Sequence, residues 1–175
     1  MKKILAFGGS TSKTSINKQL ASYAASLIND TNFKVIDFND YKAPIYSTDE
    51  EANGFPEDLV ALSESMKDFD GYVVSLAEHN GSYAAAFKSI LDWLSRINRE
   101  IFNNKPVLLM SASPGGRGGA SVLSNAAAYF PHAGASEVFT FSFPNFYDNF
   151  KDEKISNQDL NSNLLEKISE FQVNL

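Results

Sequence analysis

The stretch Lys2–Leu20, KKILAFGGSTSKTSINKQL, decides how this chain is read. Lys2–Phe7 is a short apolar run with strand character. Gly8 and Gly9 end it, and a loop of small polar residues leads into a helical pattern from Ile16. The loop offers hydroxyls at Ser10, Thr11, Ser12, Thr14 and Ser15, an amide at Asn17 and a cation at Lys13. Backbone N–H groups at the positive end of the following helix, through Ile16, complete a socket for a phosphate monoester. No Asp or Glu precedes Asp30, so a chain of net charge −6 keeps negative charge out of the place where an anion would sit. The plainer reading of the same hydroxyls is helix capping by Thr14 or Ser15. The loop lacks the Gly-Lys-Ser/Thr ending of a Walker loop and the glycine fingerprint of a dinucleotide site.

Outward from this unit, strand and helix patterns alternate. Apolar runs at Ile4–Phe7, Val35–Phe38, Tyr72–Leu76, Val107–Ser111 and Val138–Phe141 read as strands buried on both faces. Between them lie helical stripes: Ile16, Leu20, Tyr23, Ala24 and Leu27; Leu59, Leu62, Met66 and Phe69; Phe87, Ile90, Leu91 and Leu94; the alanine-rich Ala120–Phe130; and, within Leu160–Phe171, Leu164, Leu165, Ile168 and Phe171. This alternation predicts a doubly wound, three-layer α/β sandwich over residues 1–175 as one domain. Its sheet would be five-stranded and parallel, in the flavodoxin-like order 2-1-3-4-5, with ligands at the carboxyl ends of the strands. Lys42–Pro56 and Phe143–Asn157 read as long connections.

Composition narrows the chemistry. An acidic chain without clustered Lys and Arg is not read as a nucleic-acid binder. With no cysteine, and with His79 and His132 far apart, no metal site is expected. No apolar run is long enough for a bilayer and no signal peptide is read at the start, so the expected location is the cytoplasm, with no membrane partner.

Two further loops leave the same sheet edge. The segment Glu78, His79, Asn80, Gly81, Ser82 follows the third strand and carries turn residues whose backbone groups could read a flat heteroaromatic ring. The segment Ser113, Pro114, Gly115, Gly116, Arg117, Gly118, Gly119 follows the fourth and has little side-chain bulk, so it can pass close to a planar ligand. Trp93, well down the next helix, reads as a core or interface aromatic.

With these residues in place, the chain resembles the NADPH-dependent FMN reductases, a flavodoxin-like family that includes quinone, chromate and azo-dye reductases. The resemblance rests on Gly9, Ser10, Ser15 and Asn17 in the first loop. In the middle it rests on Glu78, Asn80 and Ser82, then Lys88, Asp92, Trp93, Ser95 and Arg96; in the third loop, on Ser111–Gly119. The family pattern has an arginine where Ser12 stands, prolines at Ala77 and Ala84, and a tyrosine at His79; Lys13 is a substitute cation without the guanidinium fork. The resemblance implies FMN and NADPH as cofactors and a small-molecule electron acceptor such as a quinone. Hydride would pass from the nicotinamide through the flavin, with no protein residue required as catalyst. The phosphate would be held by the side chains of Ser10, Ser15 and Asn17 and by amides of Thr14–Ile16. The ring would lie between Glu78–Ser82 and Ser113–Gly119, with Arg117 towards the nicotinamide nucleotide and His79 beside the ring.

The resemblance also implies a homodimer or homotetramer using the helix of Asp92, Trp93, Ser95 and Arg96; an ordinary Asp92–Arg96 surface pair is the bland alternative. The competing classes are a non-catalytic FMN-binding electron carrier or redox sensor, and a degenerate relative that has lost FMN.

Overall fold

The computed structural model describes residues 1–175. Five strands form its central sheet: β1 (Lys2–Gly9), β2 (Thr31–Ile36), β3 (Gly71–Leu76), β4 (Lys105–Ala112) and β5 (Ala135–Phe143). All neighbours are parallel and the order is β2-β1-β3-β4-β5, as the alternating pattern predicts. The helices are α1 (Ile16–Ser26), α2 (Thr48–Ala52), α3 (Glu57–Met66), α4 (Ala85–Ile97), α5 (Ala120–Tyr129), α6 (Phe146–Asn149) and α7 (Gln158–Val173). Successive strand side chains point to opposite faces. Leu5, Phe7, Tyr72, Val74, Val107 and Leu109 enter a core shared with Leu59, Phe87, Trp93 and Val122 of α3, α4 and α5. Ile4, Ala6, Val73, Leu108 and Met110 enter the opposite core with Leu20 and Ala24 of α1 and Leu164, Ile168 and Phe171 of α7. Helices on both faces are what bury every residue of β3.

Three expectations need correction. The second strand runs over Thr31–Ile36 rather than Val35–Phe38. It is the sheet's edge, its first residues are exposed, and Phe38 is buried from a single 3-10 turn instead. The connection Lys42–Pro56 is not irregular throughout, since Ser47 caps α2 through Glu50 N–H. Its Pro44 carbonyl accepts from Trp93 Nε1 at 2.9 Å and Ser89 Oγ at 3.0 Å, and Tyr46 sets its ring edge-on to Trp93. Trp93 is thus a core residue, wholly buried. The connection Phe143–Asn157 likewise contains α6 and a two-residue ribbon pairing Phe150–Lys151 with Lys154–Ile155.

The Asp92–Arg96 pair does not form. Asp92 is bound by Lys88 at 2.7 Å. Arg96 makes a two-pronged bond to Glu51 of α2, both contacts at 2.9 Å. The guanidinium, joined by Tyr46, holds the Glu51 carboxyl below its ordinary range.

Candidate functional site

The first turn of α1 sits unusually close to the sheet. A Cβ placed on Gly8 would lie 2.5 Å from the backbone nitrogen of Lys18, so only glycine at this strand end lets the helix start come so near. Ser15 is the N-cap: its hydroxyl accepts from Lys18 N–H at 3.1 Å. The cap satisfies the third N–H of the helix and leaves the first two. The backbone N–H groups of Thr14, Ile16 and Asn17 have no acceptor within the protein. They belong to residues lining a cavity of about 220 Å³ that also touches Ser10, Ser12, Ser15, Ala77, Glu78, His79, Ala112, Ser113, Pro114 and Tyr147. Unspent donors at a helix N-terminus, free of acidic side chains on their own loop, are the donor set that an anion requires. Lys18 is drawn away from it, bonded to Asp37 beyond β2; that bond holds the Asp37 carboxyl below its ordinary range.

Asn17 has a different place from the one its residue type points to. Its side chain is buried, accepts at Oδ1 from Ser75 Oγ (2.7 Å) and Ala112 N–H (2.9 Å), and donates from Nδ2 to the Ala112 carbonyl (3.2 Å). The expectation that its side chain is a free phosphate donor is corrected: its oxygen and one of its N–H groups are spent on the ends of β3 and β4. Lys13 is exposed on the loop and lies outside the cavity lining.

The second loop is a two-residue hairpin. Glu78–His79 pairs with Ser82–Tyr83 across Asn80 (φ 52°) and Gly81 (φ 77°), the positive-φ geometry that Asn-Gly favours. Glu78 and His79 reach the cavity; Asn80, Gly81 and Ser82 lie on the exposed tip away from its lining. Glu78 Oε2 accepts from Val122 N–H at 2.9 Å and so caps α5, whose own N-cap, Gly119, has no side chain to offer.

The third loop is held through its carbonyls. Gly115 O accepts from Ser113 Oγ, Gly118 N–H and Asn145 N–H, while Gly118 O accepts from Ser111 Oγ and Ser142 Oγ. Gly118 has φ 59°, and a Cβ there would lie 2.3 Å from Ser142 Oγ; its glycine serves packing. Ser113 and Pro114 line the cavity, whereas Gly115, Gly116 and Arg117 lie beyond the lining. The N–H groups of Gly115 and Gly116 have no acceptor, and nothing occupies the space where a Cβ of Gly115 would sit. Arg117 is exposed and bonded to Ser121 at 3.0 Å. Tyr147 of α6, absent from the sequence-based candidates, lines the cavity as an exposed ring. The one signal for it was the aromatic run Phe143–Phe150.

Fold and loops together define a flavodoxin-like α/β protein in which the start of α1, with N–H groups that have no acceptor, opens on a cavity at the sheet's carboxyl edge. Residues 2–148 match the NADPH-dependent FMN reductase family, and the chain belongs to that family. It is 38% identical to the quinone reductase of Escherichia coli K12 over 78 residues, 44% of this chain and 42% of that protein; the matched part is thus under half of that relative's length. It is 34% identical to 2-hydroxy-1,4-benzoquinone reductase of a Burkholderia species over 125 residues, 70% of this chain and 67% of that one. The solved structure of FerB, a flavoenzyme NAD(P)H:(acceptor) oxidoreductase from Paracoccus denitrificans, superposes with TM-score 0.77 at 22% identity, covering 99% of this chain and 97% of that one; at that identity the likeness concerns the fold.

Proposed function

We propose that this chain is an NAD(P)H-dependent FMN reductase that passes electrons to a small acceptor of the quinone type. The carrying observation is the set of unspent N–H donors of Thr14, Ile16 and Asn17, opening on a cavity whose other walls come from the second and third loops. Family membership supports the assignment, as do the quinone-reductase names of its relatives.

The residues present fit FMN. The N–H groups of α1 and the hydroxyls of Ser10, Ser12 and Thr14 would take the phosphate through charge-assisted bonds. The free N–H groups of Gly115 and Gly116, with open space above Gly115, would take carbonyl groups of the ring. His79 on one loop and Tyr147 on another would flank it. Bound FMN supplies the two-electron chemistry; the chain's own work is to bind, orient and wall the reactants, and no side chain is assigned as a catalyst. Arg117, exposed and tied only to Ser121, is a candidate partner for the phosphate of NADPH.

On this reading residues 1–175 act as one FMN-binding domain, assemble as a homodimer or homotetramer through the α4 side, and work in the cytoplasm, where reduced nicotinamide nucleotides are available. No helix is long and apolar enough to cross a membrane.

The test is a titration of apo-protein with FMN, followed by steady-state oxidation of NADPH and NADH against a quinone panel and by sedimentation. Micromolar or tighter FMN binding with quinone-dependent turnover is expected. No flavin binding overturns the assignment, and tight binding with negligible turnover makes the chain an electron carrier instead.

A further inference from the structure

Behind the anion cradle lies a buried polar junction. Ser75 sits near the carboxyl end of β3, fully buried, and it does not reach the cavity. Its hydroxyl donates to Asn17 Oδ1 at 2.7 Å. The same oxygen accepts from Ala112 N–H at 2.9 Å, and Asn17 Nδ2 returns a bond to Ala112 O at 3.2 Å. One amide group therefore joins the start of α1 to the ends of β3 and β4. Asn17 has 2% of its surface exposed, and buried polar groups with this many partners hold a single arrangement, since any shift leaves a donor or acceptor unpaired.

We propose that Ser75 and Asn17 are positioning residues for the anion cradle. Ser75 fixes the Asn17 amide, the amide fixes the first turn of α1 against the strand ends, and the N–H groups of Ile16 and Asn17 are thereby aimed into the cavity before any ligand arrives. Preorganised donors hold charge without a reorganisation cost. The proposal rests on the FMN reading above and gives part of that site's affinity to a residue that never touches the ligand.

The experiment uses two flavins and one inorganic probe. FMN and riboflavin share the ring and differ in the phosphate, so the ratio of their affinities isolates the cradle. Ser75→Ala is expected to weaken FMN about tenfold, the factor carried by one buried hydrogen bond, and to leave riboflavin unchanged. Asn17→Ala is expected to weaken FMN further with riboflavin again spared; if that variant does not fold, Ser75→Ala alone decides. An equal loss for both flavins, or no loss for either, overturns the proposal.

Inorganic phosphate titrated into the apo-protein, followed by the amide NMR signals of Thr14, Ile16 and Asn17, provides the flavin-independent arm. Phosphate shifts those signals in the wild type and requires higher concentrations in Ser75→Ala. If wild-type protein binds phosphate there but ignores FMN, the flavin reading fails and the comparison with Ser75→Ala still judges the junction. If it binds neither, both fall.

Discussion

Two helices begin at the carboxyl edge of this sheet after small-residue loops, and they differ in what is already bound to them. The start of α5 is met by a carboxylate of the chain itself, Glu78, at 2.9 Å from Val122 nitrogen. The start of α1 is capped by the neutral hydroxyl of Ser15 and keeps the N–H groups of Ile16 and Asn17 free. Each helix start attracts negative charge; one has an internal anion and the other has none. Glycine and serine content does not separate the two loops. The Glu78 carboxylate on the α5 start does.

The largest effect is expected when α1 is given an internal anion as well. Ser15→Asp keeps a good N-cap and places a carboxylate where the phosphate would sit. Two like charges about 4 Å apart repel by about 4 kcal/mol at the effective dielectric of a protein surface, so FMN affinity should fall about a thousandfold. Thermal stability of the apo-protein should stay level or rise. Paired titration and melting check both, and retained FMN binding would place the phosphate elsewhere.

Next in size is Gly8→Ala. Its Cβ meets backbone rather than a yielding side chain, so α1 must move off the strand. A loss of about 3 kcal/mol is expected in urea unfolding, together with loss of FMN binding. An unchanged midpoint would show that the helix start has room to spare.

Glu78→Ala removes the internal anion from the start of α5. It should cost about 1 kcal/mol, as lost caps do, and free the α5 start for an added anion. Greater stabilisation by sulfate in the variant than in the wild type is the signature to measure in melting experiments.

The smallest effect concerns acid. Asp37, bound by Lys18, and Asp70, bound by Lys3 N–H, both have carboxyl pKa values below the ordinary carboxylate value. A depressed folded pKa adds stability that is present above the unfolded value of about 3.9 and is lost as pH falls through the folded one. Asp37→Asn should therefore lower the melting temperature at neutral pH and flatten its decline below about pH 4. A decline as steep as the wild type's would remove Asp37 from the account.

The sheet was legible because four of its strands are short apolar runs, and β2 was misplaced because an edge strand exposes Asn32, Phe33 and Lys34 and so shows little apolar pattern. The cradle was legible as a loop. The roles within it were not, since residue type does not reveal a partner: Asn17 looks like a ligand until Ala112, 95 residues away, takes its amide. Glu78 reads as part of a ring-binding loop, and residue type does not reveal that one of its oxygens caps α5 through Val122. The Asp92–Arg96 pair is the bland alternative that i, i+4 spacing offers, and Glu51, from a segment read as loop, takes the guanidinium instead.

The Pro44 carbonyl carries one more consequence. By accepting from both Trp93 and Ser89, it staples the long crossing between β2 and α3 to the flank of α4. A protease offered the native chain should meet a splint there instead of a loose strap, and limited digestion should spare that crossing until the tryptophan anchor itself gives way.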